Sequence, residues 1–295
     1  MPLSRLTFEN PWIAAVDAAR RPANSLVTLG VGVAAVAAAV IGGRAAAESL
    51  APMTAGGSAL QSAVATTALF YLCIYLPLWL TAALAGRIEG RTVWRSEPRA
   101  ALWAIAGVLI GAGGFGVAVG LAAATGVLGP APEPVATAVG GVLAGMLLVA
   151  FQAGAEEIFF RGWMQPTLCA RFGPWVGLIV TAALFAGLHV VGGARSPLSI
   201  LNLMLGGLLF GLLALRTGGL WAAFLAHWGW NWTESGVLGL DPNPGAAATT
   251  SMMDLDLAGP ALWSGGGDGM NGSLAATLVL LAMVAGLAML RPRRS

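Results

Sequence analysis

The sequence predicts an all-α fold, a polytopic transmembrane helical bundle of about eight TM helices with both termini cytoplasmic (N-in/C-in). Three observations carry this. Of 295 residues, 57% are hydrophobic and only 9% are charged, against about 25% charged in an average soluble domain. A spanning helix needs about 20 mostly apolar residues, and the chain offers eight such stretches, roughly 23–43, 63–86, 101–128, 135–160, 174–193, 198–215, 219–236 and 273–290. The basic residues are also asymmetric. With eight spans, 13 of the 15 arginines fall on one side (Arg5, Arg20, Arg21, Arg87, Arg91, Arg95, Arg99, Arg161, Arg171, Arg216, Arg291, Arg293 and Arg294), and only Arg44 and Arg195 fall on the other. The positive-inside rule makes the first side cytoplasmic.

The composition also excludes functions. Little sequence lies between the apolar stretches, so there is no room for a separate soluble domain. The net charge is +2 and the arginines are scattered, so no nucleic-acid partner is expected. Every basic residue is Arg, in an Ala-rich background with 42 Gly. That bias fits a GC-rich bacterial genome, and a bacterial plasma membrane is the expected location.

Residues 1–22 read as a cytoplasmic N-terminal segment, in which Phe8, Trp12, Ile13 and Val16 interleave with polar residues as in an interfacial helix. The bundle occupies 23–290. Its first apolar run follows Arg20 and Arg21 and precedes Ala45-Ala46-Ala47, but is too long for the apolar region of a signal peptide, so it reads as an uncleaved helix. Small residues four apart, such as Gly107 and Gly111, Gly141 and Gly145, and Gly207 and Gly211, allow close helix crossings. Cys73, inside an apolar run, and Cys169 predict no structural disulfide. Residues 237–272 form the longest connection, with Asp241, Asp254, Asp256 and Asp268 and no Arg. Their Gly, Pro and Ser content predicts an extracytoplasmic flexible loop, with a lid over the outer face as the second reading. Residues 291–295 are a cytoplasmic tail.

In so apolar a chain the informative residues are the ionisable ones at membrane depth, because a charge there is costly unless paired or used. The fourth stretch ends in Glu156-Glu157-Ile-Phe-Phe-Arg161, the fifth contains Phe185-Ala-Gly-Leu-His189, and the seventh contains His227-Trp-Gly-Trp-Asn231; the protein has only these 2 histidines. Glu157 and Arg161 are i and i+4, on one helical face in the favourable order. Glu156 is about 100° away, so one carboxylate can be neutralised while the other stays free. His227 and Asn231 share a stripe, with Glu234 seven residues on, near the outer end of its helix.

The turn Phe172-Gly173-Pro174 lies midway between positions 156 and 189, so a hairpin there brings Glu156 and His189 to one height, provided the fourth helix continues past Arg161, bent near Pro166. His227 enters from the same side. All three motifs are thus expected at one level in the cytoplasmic half. Each motif alone also fits an ion pair, a packing histidine or an interhelical clamp; the conjunction points to chemistry.

At these residues the chain resembles the CPBP family, the CAAX prenyl proteases and bacteriocin-processing enzymes, intramembrane proteases that include the type II CAAX prenyl endopeptidases. That family carries Glu-Glu-x-x-x-Arg, Phe-x-x-x-His and His-x-x-x-Asn/Asp motifs on successive helices. Here they stand, in order, at 156–161, 185–189 and 227–231, within a core of about 140–236. The resemblance implies an endopeptidase acting on a membrane-embedded or lipidated peptide or protein in the lipid bilayer. Glu156 would be the general base that activates water, with His189 holding it. His227 and Asn231 would donate to the oxyanion, and Glu157 and Arg161 would orient Glu156. The implied mechanism needs no cofactor. The alternative is Zn2+ on Glu156, His189 and His227, which would draw its ligands from three helices, since there is no HExxH motif. Bacterial members of the family are associated with peptide maturation, bacteriocin immunity or removal of C-terminal sorting signals. Two competing functions are a proton-coupled transporter, which also uses buried Glu and His but usually shows an internal repeat that is not seen here, and a non-catalytic immunity protein, which has no need to keep all four polar residues.

Overall fold

A computed structural model describes residues 3–21, 23–133, 135–244 and 249–290. The expected tail, 291–295, lies outside the described residues. After a short helix α1 (Pro11–Asp17), six long helices follow: α2 (Ser25–Thr54), α3 (Ala59–Glu89), α4 (Ala100–Ala123), α5 (Val139–Phe172), α6 (Pro174–Gly192) and α7 (Pro197–Thr217). Helix α8 (Trp221–Trp232) continues as a π-helix over Thr233–Leu238, and α9 (Leu274–Met289) follows a 3-10 segment, Gly266–Gly272. Seven helices, α2 to α7 and α9 with its 3-10 lead, are long and apolar enough to cross a membrane. Helix α8 is the exception, because its polar residues sit inside the bundle. The protein is therefore a multi-pass membrane protein.

Local chemistry sets the helix ends. Ser58 and Gln61 form a capping box that starts α3, and Gly90 ends it in the left-handed conformation, φ 74°. Gly173, at φ 87°, separates α5 from Pro174 at the first position of α6, so the predicted hairpin turn is where the sequence puts it. The short connections at 173, 193–196 and 218–220 make α5 to α8 antiparallel neighbours.

Helix α8 lies between α4, α5 and α7. It approaches α4 closely because α4 presents glycine. A Cβ at Gly107 would stand 2.6 Å from the carbonyl oxygen of Ala222. Gly207 of α7 meets Ala182 of α6 in the same way. Both pairs of small residues act as the backbone-approach seams their spacing suggests.

The N-terminal segment, expected at the interface, is drawn into the fold. Trp12, Ile13 and Val16 are buried under the arginine-rich end of the bundle, while Phe8 stays exposed. Asn10 caps α1 and donates from Nδ2 to the carbonyls of Arg5 and Leu215, both at 2.9 Å.

The segment expected to be a flexible loop carries regular structure among its described residues. Strands β1 (Leu128–Pro130), β2 (Leu240–Asp241) and β3 (Leu255–Leu257) form a sheet in the order β1-β3-β2. β1 pairs antiparallel with β3, Leu128 opposite Leu257, and β2 pairs parallel with it, Leu240 opposite Leu255. Side chains bind this cap to the helices. Asp268 Oδ2 accepts from the Ser196 amide at 2.8 Å, and Asn202 Nδ2 donates to the carbonyls of Asn271 and Ser273, each at 2.9 Å.

The α4–α8 seam predicts a contrast. Gly107→Leu overfills it and is expected to cost about 1–3 kcal/mol, seen as a lower Tm in detergent. Gly113→Leu, exposed and with no atom near a new Cβ, is expected to leave Tm unchanged.

Candidate active site

Helix α5 delivers Glu156, Glu157 and Arg161, and its backbone is unusual there. It is α-helical to Glu157 and then π-helical over Ile158–Met164, a form often found at functional sites. Pro166 has no N–H to offer the carbonyl of Gly162, and donors from elsewhere serve the freed carbonyls. Trp12 Nε1 donates to Arg161 O at 2.9 Å, Arg91 Nη1 to Gly162 O at 3.1 Å, and Arg91 Nη2 to Trp163 O at 3.1 Å. Glu89 holds Arg91 at 2.6 Å and accepts from Trp163 Nε1 at 3.0 Å. Burial lowers the Arg91 pKa, and Glu89 opposes that shift.

Glu156, Glu157 and Arg161 are fully enclosed, each 0% exposed. Glu157 Oε1 accepts from Arg161 Nη1 at 2.9 Å and lies 2.9 Å from His227 Nδ1. Arg161 Nη2 donates to the carbonyl of Gly207 at 3.0 Å, and its guanidinium sits 4.5 Å from the centre of the Phe185 ring, within cation–π reach. Next to a carboxylate, Nδ1 of His227 carries the proton, so Nε2 of the neutral ring is an acceptor. The ring stacks on Phe210 at 4.6 Å and 14°.

Glu156 Oε1 accepts from Gln152 Nε2 at 2.8 Å, and Gln152 Oε1 accepts from Asn231 Nδ2 at 3.1 Å. Glu156 Oε2 is buried with no partner among the described residues and stands 4.0 Å from His227 Nε2. His189 Nδ1 donates to the carbonyl of Phe185, one turn back, at 2.9 Å, so its Nε2 is likewise an acceptor. Gln152, His189, His227 and Asn231 line a cavity of about 260 Å³. Glu156 lies one layer behind this wall, at the gap beside His227.

The structure thus brings the predicted residues together in two adjoining hydrogen-bonded groups, Glu157 with Arg161 and His227, and Glu156 with Gln152 and Asn231, which approach at the 4.0 Å contact of Glu156 with His227, while His189 lines the same cavity. It corrects their expected depth. The rim of the cavity is formed by Arg44, Gly193, Ala194, Asn243, Pro244 and Asp268, at the end opposite the arginine-rich one. Helix α6 has only 19 residues, so matching the height of Glu156 puts His189 near its far end. The α5 segment beyond Arg161, expected as a cytoplasmic extension, is buried through Cys169.

Sequence reasoning missed Gln152, although it is a polar residue in an apolar run one turn before Glu156. It also missed Tyr71 and Tyr75, the only 2 tyrosines of the protein, which line the cavity from α3. Their rarity, like that of the histidines, is the signal that would have found them. Among the described residues no group of three or more His, Cys, Asp or Glu side chains is arranged to hold a metal ion.

Fold and site together define a multi-pass membrane protein with an enclosed carboxylate and histidine centre. Residues 137–233 match the family described as type II CAAX prenyl endopeptidase Rce1-like, and this stretch contains all three motifs. At family level the match supports a CAAX-protease-type intramembrane endopeptidase, and a membrane-associated peptide as substrate. No curated protein and no solved structure matches the chain.

The buried ion pair makes its own prediction. Arg161→Met strands Glu157 and is expected to cost about 3–5 kcal/mol in denaturant unfolding in detergent. The double variant Glu157→Gln/Arg161→Met is expected to lose less than Arg161→Met alone; an equal or larger loss would show that the charge pairing is not what Arg161 provides.

Proposed function

We propose that the protein is a metal-free, glutamate-dependent endopeptidase of a bacterial plasma membrane, cutting a membrane-embedded or lipidated peptide in peptide maturation or C-terminal processing. The observation that carries the reading is the 4.0 Å separation between the unpartnered Glu156 Oε2 and His227 Nε2. A water oxygen can stand about 2.8 Å from both, donating one hydrogen to each. As that oxygen attacks the scissile carbonyl carbon, Glu156 takes its proton and later passes it to the leaving amine. Asn231 Nδ2 has a second N–H beyond the one given to Gln152 and offers it to the oxyanion. His189 Nε2 accepts from an N–H of the leaving amine. Glu157 and Arg161 are positioning residues: they fix the His227 tautomer and hold α5, α7 and α8 in register.

The test is cleavage of a fluorogenic peptide with a lipidated or hydrophobic C-terminal segment by protein purified in detergent. Glu156→Gln is expected to lower kcat about 10²–10⁴-fold while Tm stays near wild type, and phenanthroline is expected to leave the wild-type rate unchanged. Activity retained in Glu156→Gln would overturn the assignment, and loss of wild-type activity with chelator would overturn its metal-free form.

A further inference from the structure

The cavity extends past the groups used above toward its rim, and its wall there carries a buried carboxylate that the hydrolysis does not use. Glu234 stands seven residues beyond His227, in the π-helical continuation of α8. It is 4% exposed and lines the cavity with Asn231 and Ser235, and its Oε1 has no hydrogen-bond partner among the described residues. Asn202 lines the same cavity from α7. Its Nδ2 is used by the carbonyls of Asn271 and Ser273, which leaves a buried Oδ1 that is also unpartnered. Asp268 adds a carboxylate at the rim. Against these acceptors, the one cationic side chain among the described lining residues is Arg44 at the rim, held 2.8 Å from Glu48.

An unpartnered buried carboxylate oxygen and amide oxygen on a wall whose only cationic side chain among the described lining residues is Arg44 at the rim are complementary to a donor-rich cation, since a buried carboxylate is tolerated when a counter-charge meets it. We infer that Glu234, with Asn202 on the wall of the same cavity, is a specificity subsite for a cationic group of the peptide substrate, an ammonium or guanidinium. This rests on the endopeptidase reading. Seven residues of helix rise about 10 Å, and an extended peptide covers about 3.3 Å per residue. A peptide running along α8 with its scissile bond at His227 therefore brings to Glu234 the residue about three positions away. The cation is either a Lys or Arg side chain or a free amino terminus placed at that distance.

Two sets of peptides separate these sources: N-acetylated hydrophobic peptides with one Lys or norleucine stepped through each position, and unacetylated ones whose amino terminus falls at the same places. Wild type is expected to prefer the cationic peptide at least 10-fold in kcat/KM at one position about three residues from the cut. Glu234→Gln is expected to abolish that ratio, and Glu234→Arg to favour Glu over Lys there. A ratio that survives in Glu234→Gln, or the absence of any position with such a preference, would overturn the subsite. Binding of the same peptides to Glu156→Gln, with and without Glu234→Gln, reads the subsite without turnover. If no peptide is cut, the endopeptidase reading falls, while the cation preference in binding still decides on Glu234: a preference lost with Glu234→Gln supports the subsite, and its absence overturns it.

Discussion

Arg161 is the charge around which three helices are arranged. Fully enclosed, it meets the Glu157 carboxylate on its own helix, the Gly207 carbonyl of α7, and the faces of Phe185 on α6 and Phe210 on α7. A guanidinium in a bundle interior is tolerable only if nearly every face finds a partner, so each neighbouring helix must present one group at a fixed height. Glycine at 207 leaves the carbonyl uncovered. One turn on, the carbonyl of Gly211 accepts from Gln165 Nε2 at 3.0 Å. The small-residue seam on α7 therefore serves hydrogen bonding as well as packing. Phe185 has two tasks, since its ring faces Arg161 while its carbonyl takes the proton-bearing nitrogen of His189. The four-residue spacing from Phe to His follows from that carbonyl.

The same arrangement explains why the polar centre tolerates an irregular helix. The π-helical turn after Glu157 releases carbonyls that would be costly in an apolar interior. They are met by Trp12 from α1 and by Arg91 from the connection after α3, itself anchored by Glu89. This gives the N-terminal segment a reason to be buried: α1 completes the hydrogen bonding of the helix that carries the two glutamates. Substitutions there, far from the cavity, act on the same backbone.

Much of this was legible in the sequence because charge is scarce in it. The eight helical stretches, the hairpin at Gly173 and the three motifs follow from apolar length, turn chemistry and the short roll of ionisable residues, and the family match, at 137–233, covers the hairpin and the motifs. What was not legible depended on neutral or long-range partners. Gln152 carries no charge, and Tyr71 and Tyr75 come from a helix more than 70 residues earlier in the chain than the motifs they face. The depth was misjudged for a geometric reason. Equal distance from a turn fixes the relative height of two residues, but not where a short helix such as α6 ends. The fold of 237–272 was hidden because its strands pair with a segment more than 100 residues away.

The two adjacent glutamates differ in what surrounds them, and this difference sets the division of labour proposed for them. Glu157 faces a guanidinium and an imidazole N–H, both received by its Oε1, while its Oε2 has no partner among the described residues. Glu156 faces only the neutral amide of Gln152, and its second oxygen is idle. In the proposed mechanism the carboxylate without a cationic partner is the base, and the 100° step between neighbouring helical residues is what gives the two side chains different surroundings. Further along the same wall Glu234 has an Oε1 without a partner among the described residues, and the proposed subsite assigns it the positive group that a substrate brings, because a buried carboxylate is tolerated when a counter-charge meets it.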